Sequence, residues 1–446
     1  MKLFEDFKLR FEQPNWKNDP QLGLVDSVLE KHPHLFNLVR EDIIGPEKPS
    51  RFGRKDTPSI EQIVRAAIYK ELKKLDYREL AYHQEDSRIC EQFVKIDALR
   101  PLSHQVFQKY ISRIKADSLQ KLLYELNKIA ISEGLEDVEK IRQDTTTVES
   151  DIHYPTNNSL VWDCIKESHK HLKDLSEQIN GFSYRDYTRG AKKTFFKINN
   201  TKNHKKKKEL FDRQLITFTK TINQVSNVIK KKKHYVSRET MAIIASLEQL
   251  LPVMNQVYDI TWRKELNEEK VPNEEKIFSI YEQHTDIIVK GGRESVFGHK
   301  INLATGKSNL VLHCDVLRGN PSDKTLYAPT LDQVIKTYER VPHASADDGG
   351  FASLSNLRHA RSKGVVNVVF NKIVGSLKNQ VSSKNMETRL KKWRSGIEAN
   401  ISNIKRGFEL QRCIWKGWAH FQAKVLWSII AYNIRVMTQL MLARLL

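Results

Sequence analysis

Three acidic residues in this chain stand where carboxylates do chemistry. Asp348 closes an apolar lead-in and is followed by Gly349-Gly350-Phe351, a helix-like run over 353–363, a stop at Gly364 and a strand signal over 365–370. Strand, acid-Gly-Gly turn, helix, strand is the order of a βαβ crossover in a parallel sheet. Ligands of such sheets bind beyond the carboxyl ends of the strands, so Asp348 is either a metal ligand or a helix cap. Asp144 lies in the run 138–148, which is rich in β-branched residues, lacks a helical period and reads as a strand. Glu398 lies in a helical run over 393–406. At about 100° per residue, Arg394, Glu398 and Lys405 fall within roughly 40° of one another. Ile397, Ile401, Ile404 and Phe408 form an adjacent stripe that can pack on a sheet. Taken alone, Arg394, Glu398 and Lys405 are surface ion-pair partners of little energetic worth. Three carboxylates on neighbouring elements can hold two divalent ions about 3.5–4 Å apart. Mg2+ suits such a site because it keeps part of its water shell. One ion would activate a hydroxyl or water and the other would stabilise a leaving 3′ oxygen, which is phosphoryl transfer on a nucleic-acid backbone.

The charge agrees with such a substrate. The 446 residues include 74 Lys plus Arg against 54 Asp plus Glu, a net charge of +20. This excess favours nucleic acid or an anionic membrane as partner. It is concentrated, with 15 Lys/Arg against 2 Asp/Glu over residues 189–233, a net of +13 in 45 residues. A concentrated block points to a contact surface rather than a solubility halo. Cys90, Cys164, Cys314 and Cys413 show no C-x-x-C spacing, which argues against a zinc site and a disulfide framework. With a charged start, Met1-Lys2-Leu3-Phe4-Glu5-Asp6, and no signal peptide, the expected compartment is the cytoplasm. No apolar run reaches 18 residues; 425–446 comes nearest, is interrupted by Arg435 and Arg444, and reads as a buried C-terminal helix.

The elements that must position the acids follow from periodicity. Residues 1–55 form an arm ending in a basic linker, Pro46, Pro49, Arg51, Gly53, Arg54 and Lys55. Residues 56–136 read as all-helical, with Ile60, Ile63, Val64, Ala67, Ile68 and Leu72 at a 3.6-residue period and shorter helices near Tyr77, Ser87 and Ser103. They are compatible with a helix-turn-helix reader of DNA and with a dimerisation bundle. Residues 137–175 and 273–424 are expected to make a catalytic domain. It starts with the Asp144 strand, a turn at 153–158 and a helix over 161–175. Strands at 277–281, 287–290, 297–303 and 309–316 then form an antiparallel meander. A helix over 322–338, the βαβ unit and helices through 378–424 complete it. The insertion 176–272 is mostly helical and carries the basic block. Its densest runs are Lys205-Lys206-Lys207-Lys208 and Lys230-Lys231-Lys232-Lys233, interleaved with Phe195, Phe196, Phe211, Phe218 and Tyr235. That mixture suits phosphate contacts with some base stacking; the alternative is a solvated helical face over a small core of its own.

Several short motifs occur in a telling order. They are Tyr77-Arg78-Glu79-Leu80-Ala81-Tyr82 with Asp86-Ser87 and Phe93, then Ile152-His153-Tyr154-Pro155-Thr156-Asn157, Phe297-Gly298-His299-Lys300, Gly319-Asn320-Pro321-Ser322-Asp323, Asp348-Gly349-Gly350-Phe351-Ala352-Ser353, and Gly396-Ile397-Glu398 with Lys405-Arg406. With Asp144 they resemble the DDE transposases of bacterial insertion sequences over most of the chain. In that family they look like the helical N-terminal domain, the turn after the first Asp (where an Asp is more usual than Asn157), the middle strands, the second-Asp motif and the Glu motif. Arg394, Glu398 and Lys405 also match the last three members of a Tyr-x2-Arg-x3-Glu-x6-Lys signature, whose Tyr position holds Lys391 here. The span of 204 positions from Asp144 to Asp348 fits the insertion such enzymes carry.

The resemblance implies an α+β or α/β fold: an RNase H-like mixed sheet flanked by helices, an all-helical N-terminal domain and a mostly helical insertion. It implies catalysis and metal binding by Asp144, Asp348 and Glu398, with two Mg2+ ions for which Mn2+ substitutes. Arg394 and Lys405 would bind phosphate, and Lys300, Lys205, Lys206, Lys207 and Lys208 would contact DNA. Implied partners are double-stranded DNA, both terminal inverted repeats and target, and a second copy in a dimer or higher assembly on DNA. No membrane is implied, and the location is cytoplasmic, on the nucleoid. Three assignments stay open. Asp347 competes with Asp348, which fits the family spacing to Gly350-Phe351 better. Glu149 and Asp151 compete with Asp144 from nearer the turn. His299 and Lys300 either reach the site or serve the strand and the DNA backbone. An inactive transposase-derived DNA-binding protein, or a metal-dependent nuclease without strand transfer, would share most of these features.

Overall fold

The computed structural model describes residues 16–45, 57–97, 99–231, 237–289, 294–371, 373 and 377–445. The expected basic linker, Lys232, Lys233, Tyr235, Lys290 and Gly291-Gly292 lie outside the described residues. The chain forms two compact units, residues 1–149 with 288–446 and residues 150–287.

The first unit begins with helices α1 (Pro20–Lys31), α2 (His34–Asn37), α3 (Arg40–Ile44), α4 (Ile60–Lys73), α5 (Tyr77–Asp86), α6 (Arg88–Val94), α7 (His104–Ile111) and α8 (Ala116–Ser132). Their starts are written in side chains. Ser59 with Gln62 closes a capping box on α4, and Asp76 with Glu79 closes one on α5, satisfying amides that the first turn leaves unbonded. Strand β1 (Lys140–Ser150) follows. The second unit then supplies α9 (Asn157–Gln178), α10 (Thr188–Asn200), α11 (His204–Lys230) and α12 (Arg238–Thr261), packed around Leu172, Phe218, Leu247 and Met254. Strand β2 (Asp286–Ile288) lies at the boundary between the units. The first unit resumes with β3 (Val296–Thr305), β4 (Val311–Val316), α13 (Asp323–Tyr338), β5 (Ala344–Asp348), α14 (Leu354–Ser362) and β6 (Asn367–Asn371). It ends with α15 (Lys384–Arg394), α16 (Gly396–Gly407), β7 (Arg412–Cys413) and α17 (Trp418–Leu445).

Leu303 pairs with Asp144 on one side and Cys314 on the other, so β3 lies between β1 and β4 and runs antiparallel to both. β5 runs parallel to β1 and to β6. The order β4-β3-β1-β5-β6, with helices on the sheet, is a mixed α+β arrangement of the RNase H-like type. Helix α17 is long and apolar enough to cross a bilayer by length and composition, but 67% of its most apolar window is buried in the protein. Its Phe421, Trp427 and Ile430 belong to the core shared with α1, α4 and α8. All four cysteines are buried as free thiols.

The structure departs from the periodicity in places where local hydrogen bonds or pairing win. Residues 277–281 are not a strand: Ser279 Oγ accepts from the amides of Tyr281 and Glu282, a local turn that competes with sheet pairing. The helix expected from 161 starts at Asn157, because Thr156 and Ser159 form its capping box. Residues 319–322 are a loop leading into α13 rather than a middle strand. The run 378–424 is not continuously helical. It breaks at Ser395 and leaves the helix at Phe408, where β7 pairs with β1 and Gln411 O accepts from the Glu149 amide. The C-terminal helix accordingly starts at Trp418, ahead of 425.

A buried ion network ties the N-terminal helices to α17. Glu71 on α4 is buried and meets Lys424 of α17 at 2.5 Å and Lys70 at 3.1 Å. Burial alone would push the Glu71 carboxyl up, but the two lysines outweigh it and hold it below the ordinary range. Replacing Glu71→Ala strands two buried ammoniums and should cost about 3–5 kcal/mol, read as a lower denaturant midpoint. A depressed pKa contributes stability above the unfolded-state value and loses it on acidification. The gap between wild type and Glu71→Ala should therefore narrow as the pH falls below about 4.

Candidate active site

The site begins where β1 and β5 part. The two strands pair only at Lys140↔Ala344 and Ile141↔Ser345. Further along, the Gln143 amide donates to Asp347 Oδ1 at 2.7 Å, so a side chain replaces the backbone acceptor. The strands diverge at this point, which leaves room at Asp144 and Asp348. Side chains alternate along a strand. Asp347 is fully buried and also accepts from Ser345 Oγ at 2.6 Å. Burial pushes its carboxyl up to about 7, against the pull of its Ser345 and Gln143 hydrogen bonds. Asp348 ends the strand with its side chain 42% exposed. Gly349 and Gly350 follow in a short 3-10 turn. The glycine at 350 is needed for space: a Cβ there would stand 2.9 Å from Asp323 Oδ2.

The helix carrying Glu398 is held by an arginine that the sequence reading passed over. Arg142 lies two residues before Asp144, on the same face of β1. Its Nε donates to Thr305 Oγ1 at 3.0 Å, its Nη2 to Asn309 Oδ1 at 2.5 Å and its Nη1 to the Trp393 carbonyl. Its guanidinium also sits 4.6 Å from the Trp393 ring centroid. Burial pushes Arg142 down to about 10, so it remains charged at neutral pH. A Cβ at Gly396 would come within 2.6 Å of Arg142 Nη1. Strand β1 thus fixes the junction of α15 and α16, and with it Arg394 and Glu398.

Arg394 is where the acids meet. Its Nη2 lies 3.1 Å from Asp144 Oδ2 and 3.6 Å from Asp348 Oδ1, and its Nη1 lies 3.3 Å from Glu398 Oε1. The Arg394 side chain is 8% exposed, against 18% for Asp144 and 68% for Glu398. The cluster is therefore closed on the strand side and open on the Glu398 side. Asp348, rather than Asp347, makes the ion pair with Arg394. Glu149 is drawn away to Arg412 at 3.0 Å, and Asp151 follows the end of β1.

The other singled-out residues divide. Lys405 stands on α16, seven positions beyond Glu398. Lys300 is buried; its Nζ pairs with Asp323 and donates to the Pro321 carbonyl at 2.7 Å, which removes it from a DNA-facing role. His299 is buried with its ring edge-on to Trp418 and Phe421 at 4.6 and 4.8 Å. Lys205, Lys206, Lys207 and Lys208 form the first turn of α11 in the second unit, away from any core position, and Lys208 pairs with Glu268 at 3.2 Å. Phe211 and Phe218 are core residues rather than stacking platforms, whereas Phe196 is 51% exposed. Asp323, named in the sequence only as the end of a motif, accepts from Thr145 Oγ1 at 3.2 Å. A charged residue at 142, inside a β-branched strand and in phase with Asp144, was the signal available for Arg142.

Three carboxylates converging on one cationic group are an all-oxygen, anionic donor set, the chemistry that suits Mg2+. In this conformation the shared cation is the Arg394 guanidinium. Among the described residues no three His, Cys, Asp or Glu side chains stand close enough to share an ion as placed.

Residues 275–434 match the family model described as Transposase DDE domain. No curated protein and no solved structure matches the chain. The matched segment holds Asp348, Arg394 and Glu398 with strands β3 to β6, while Asp144 on β1 lies outside it. Over this segment, which is less than half of the chain, the protein is similar to transposase DDE domains.

Replacing Gly396→Ala should test the Arg142 brace. The added methyl must displace a guanidinium held by three hydrogen bonds, at an expected cost of about 1–3 kcal/mol. A midpoint unchanged in denaturant titration would show that the junction relaxes freely.

Proposed function

We propose that this protein cleaves DNA at the ends of its own insertion sequence and joins the freed 3′ hydroxyls to target DNA. The observation that carries the reading is the convergence of Asp144, Asp348 and Glu398 on Arg394 in an RNase H-like sheet. These three carboxylates would hold the divalent ions, two Mg2+ with Mn2+ as a substitute; such ions supply an activated attacking oxygen and charge stabilisation at the leaving one.

The chain's own residues position and balance charge. Asp144 is held by strand pairing on β1, and Asp348 stands at a strand end. Their placement is rigid because both strands are buried in the sheet. Glu398 stands on a helix and is the most exposed of the three, so it faces the incoming DNA. Arg394 and Lys405 bring positive charge to the same side, where a scissile phosphate would dock.

The second unit supports a separate DNA contact. Lys205, Lys206, Lys207 and Lys208 occupy the first turn of α11, which has no acidic residue. The N-terminal end of a helix already carries partial positive charge, so four lysines there oppose the helix dipole. A phosphate backbone relieves that conflict, because helix N-termini favour anions. Terminal inverted repeats and target DNA are the expected partners. A dimer or larger assembly forms on DNA, because two ends must be held together, and the protein acts in the cytoplasm on the nucleoid.

A plasmid bearing the gene's native flanks, incubated with Mg2+, should be cut at those flanks and give joined products. Asp144→Asn, Asp348→Asn and Glu398→Gln should each lower cleavage by about three orders of magnitude or more while DNA binding persists. A variant that cuts at the wild-type rate removes its residue from the site, and flank binding without cutting in either Mg2+ or Mn2+ removes the catalytic reading. Replacing all four lysines of the α11 turn by Ala should reduce the slope of log affinity against log salt by about 3–4. An unchanged slope would make the block a solvated face.

A further inference from the structure

Among the described residues, Arg65 and Arg142 are fully buried, yet their surroundings differ. Arg65 is ringed by Asp26, Glu30 and Glu61 at 2.6, 2.7 and 2.8 Å. Arg142 has only neutral hydrogen-bond partners: the Thr305 hydroxyl, the Trp393 carbonyl and the Asn309 amide oxygen. A buried charge without a counter-charge is costly. Asn309 lines a cleft of about 410 Å³ between α16 and α17. No carboxylate lines it; Asn309, Asn400, Asn403, Arg435 and Gln439 do. Asn400 is 5% exposed, and its Nδ2 has no acceptor. Arg435, exposed at the rim, rests 5.6 Å from the Phe408 ring centroid rather than on a carboxylate. At about 100° per residue, Asn400 and Asn403 lie roughly 140–160° around α16 from Glu398. The cleft is thus on the back of the helix, apart from the acidic cluster.

We propose that this cleft is a second anion site, which binds a phosphate group. Phosphate oxygens would accept from Asn400 Nδ2 and from the Arg435 guanidinium, which is shaped for two-point contact with such oxygens. The phosphate charge would offset Arg142 from the far side of Asn309. The source is either a phosphodiester of bound DNA or a free phosphate or nucleotide. A bound phosphate would also brace α16 from behind.

The test uses the full chain and inorganic phosphate. At matched ionic strength, millimolar phosphate should raise the thermal midpoint of the wild type above its value in chloride by about 2 °C. Arg435→Gln should keep the chloride midpoint and lose the rise. Asn400→Asp places a carboxylate in the cleft wall; it should be at least as stable as wild type in chloride and indifferent to phosphate. Duplex DNA binding by fluorescence anisotropy separates the sources. If Arg435→Gln also lowers the salt slope by about 1, the phosphate belongs to DNA. If the slope holds while the phosphate rise is lost, the site takes a free phosphate or nucleotide. A wild type with no phosphate-specific rise, or a rise that both variants retain, overturns the proposal. None of these readouts depends on cleavage.

Discussion

The first unit depends on one guanidinium reaching from a strand to a helix end. Arg142 and Asp144 share a face of β1 because side chains alternate. From that face Asp144 meets Arg394, and Arg142 takes the Trp393 carbonyl at the end of α15. Carbonyls in the last turn of a helix have no partner within it. Supplying one from the strand lets α15 stop and α16 restart past Ser395, with Gly396 small enough to lie against the guanidinium. The geometry of three acids and one arginine follows from this brace, since it sets the position of both Arg394 and Glu398 against β1.

Buried charge is managed in several ways in this unit. Arg65 and Glu71 are matched by opposite charges, and each network joins separate stretches of chain: α1 to α4, and α4 to α17. Such networks stabilise little relative to an apolar core, but losing one partner is costly, so they specify which helices pack together. Asp347 is handled differently. It serves as a hydrogen-bond acceptor for β1 at the place where the strands separate, and its desolvation is partly offset by the Ser345 hydroxyl and the Gln143 amide. Separation of β1 and β5 opens the site, and Asp347 keeps that opening from leaving an orphan amide.

The second unit answers to a different constraint. Its four helices bury Phe211 and Phe218, so these two aromatics among the lysines are committed to packing. What remains outside is positive charge, placed at a helix end where the backbone adds more of the same sign. An arrangement that is electrostatically unfavourable in isolation would be relieved by an anionic ligand, which is the physical basis of the DNA contact proposed for this unit.

The sequence by itself marked most of the elements and singled out three acids that the fold brings to Arg394. A β-branched run marked the Asp144 strand, a βαβ pattern marked Asp348, and helical phase put Arg394 and Glu398 together. Those signals are local, arising from backbone preference and one-dimensional periodicity. Motif order added the RNase H-like class, which the strand order of the sheet bears out. Local pattern failed where a nearby polar group offered another partner, as at Ser279, or where a distant strand recruited the chain, as at 408–417. Only the tertiary structure decided between Asp347 and Asp348 as the partner of Arg394, because the choice depends on which face of β5 is buried. It alone turned Lys300 from a DNA contact into an internal ion pair, and Arg142 from an unremarked strand residue into the support of the Glu398 helix. Each of these depends on residues more than twenty positions apart in the chain, and contact at that range is set by packing rather than by sequence period.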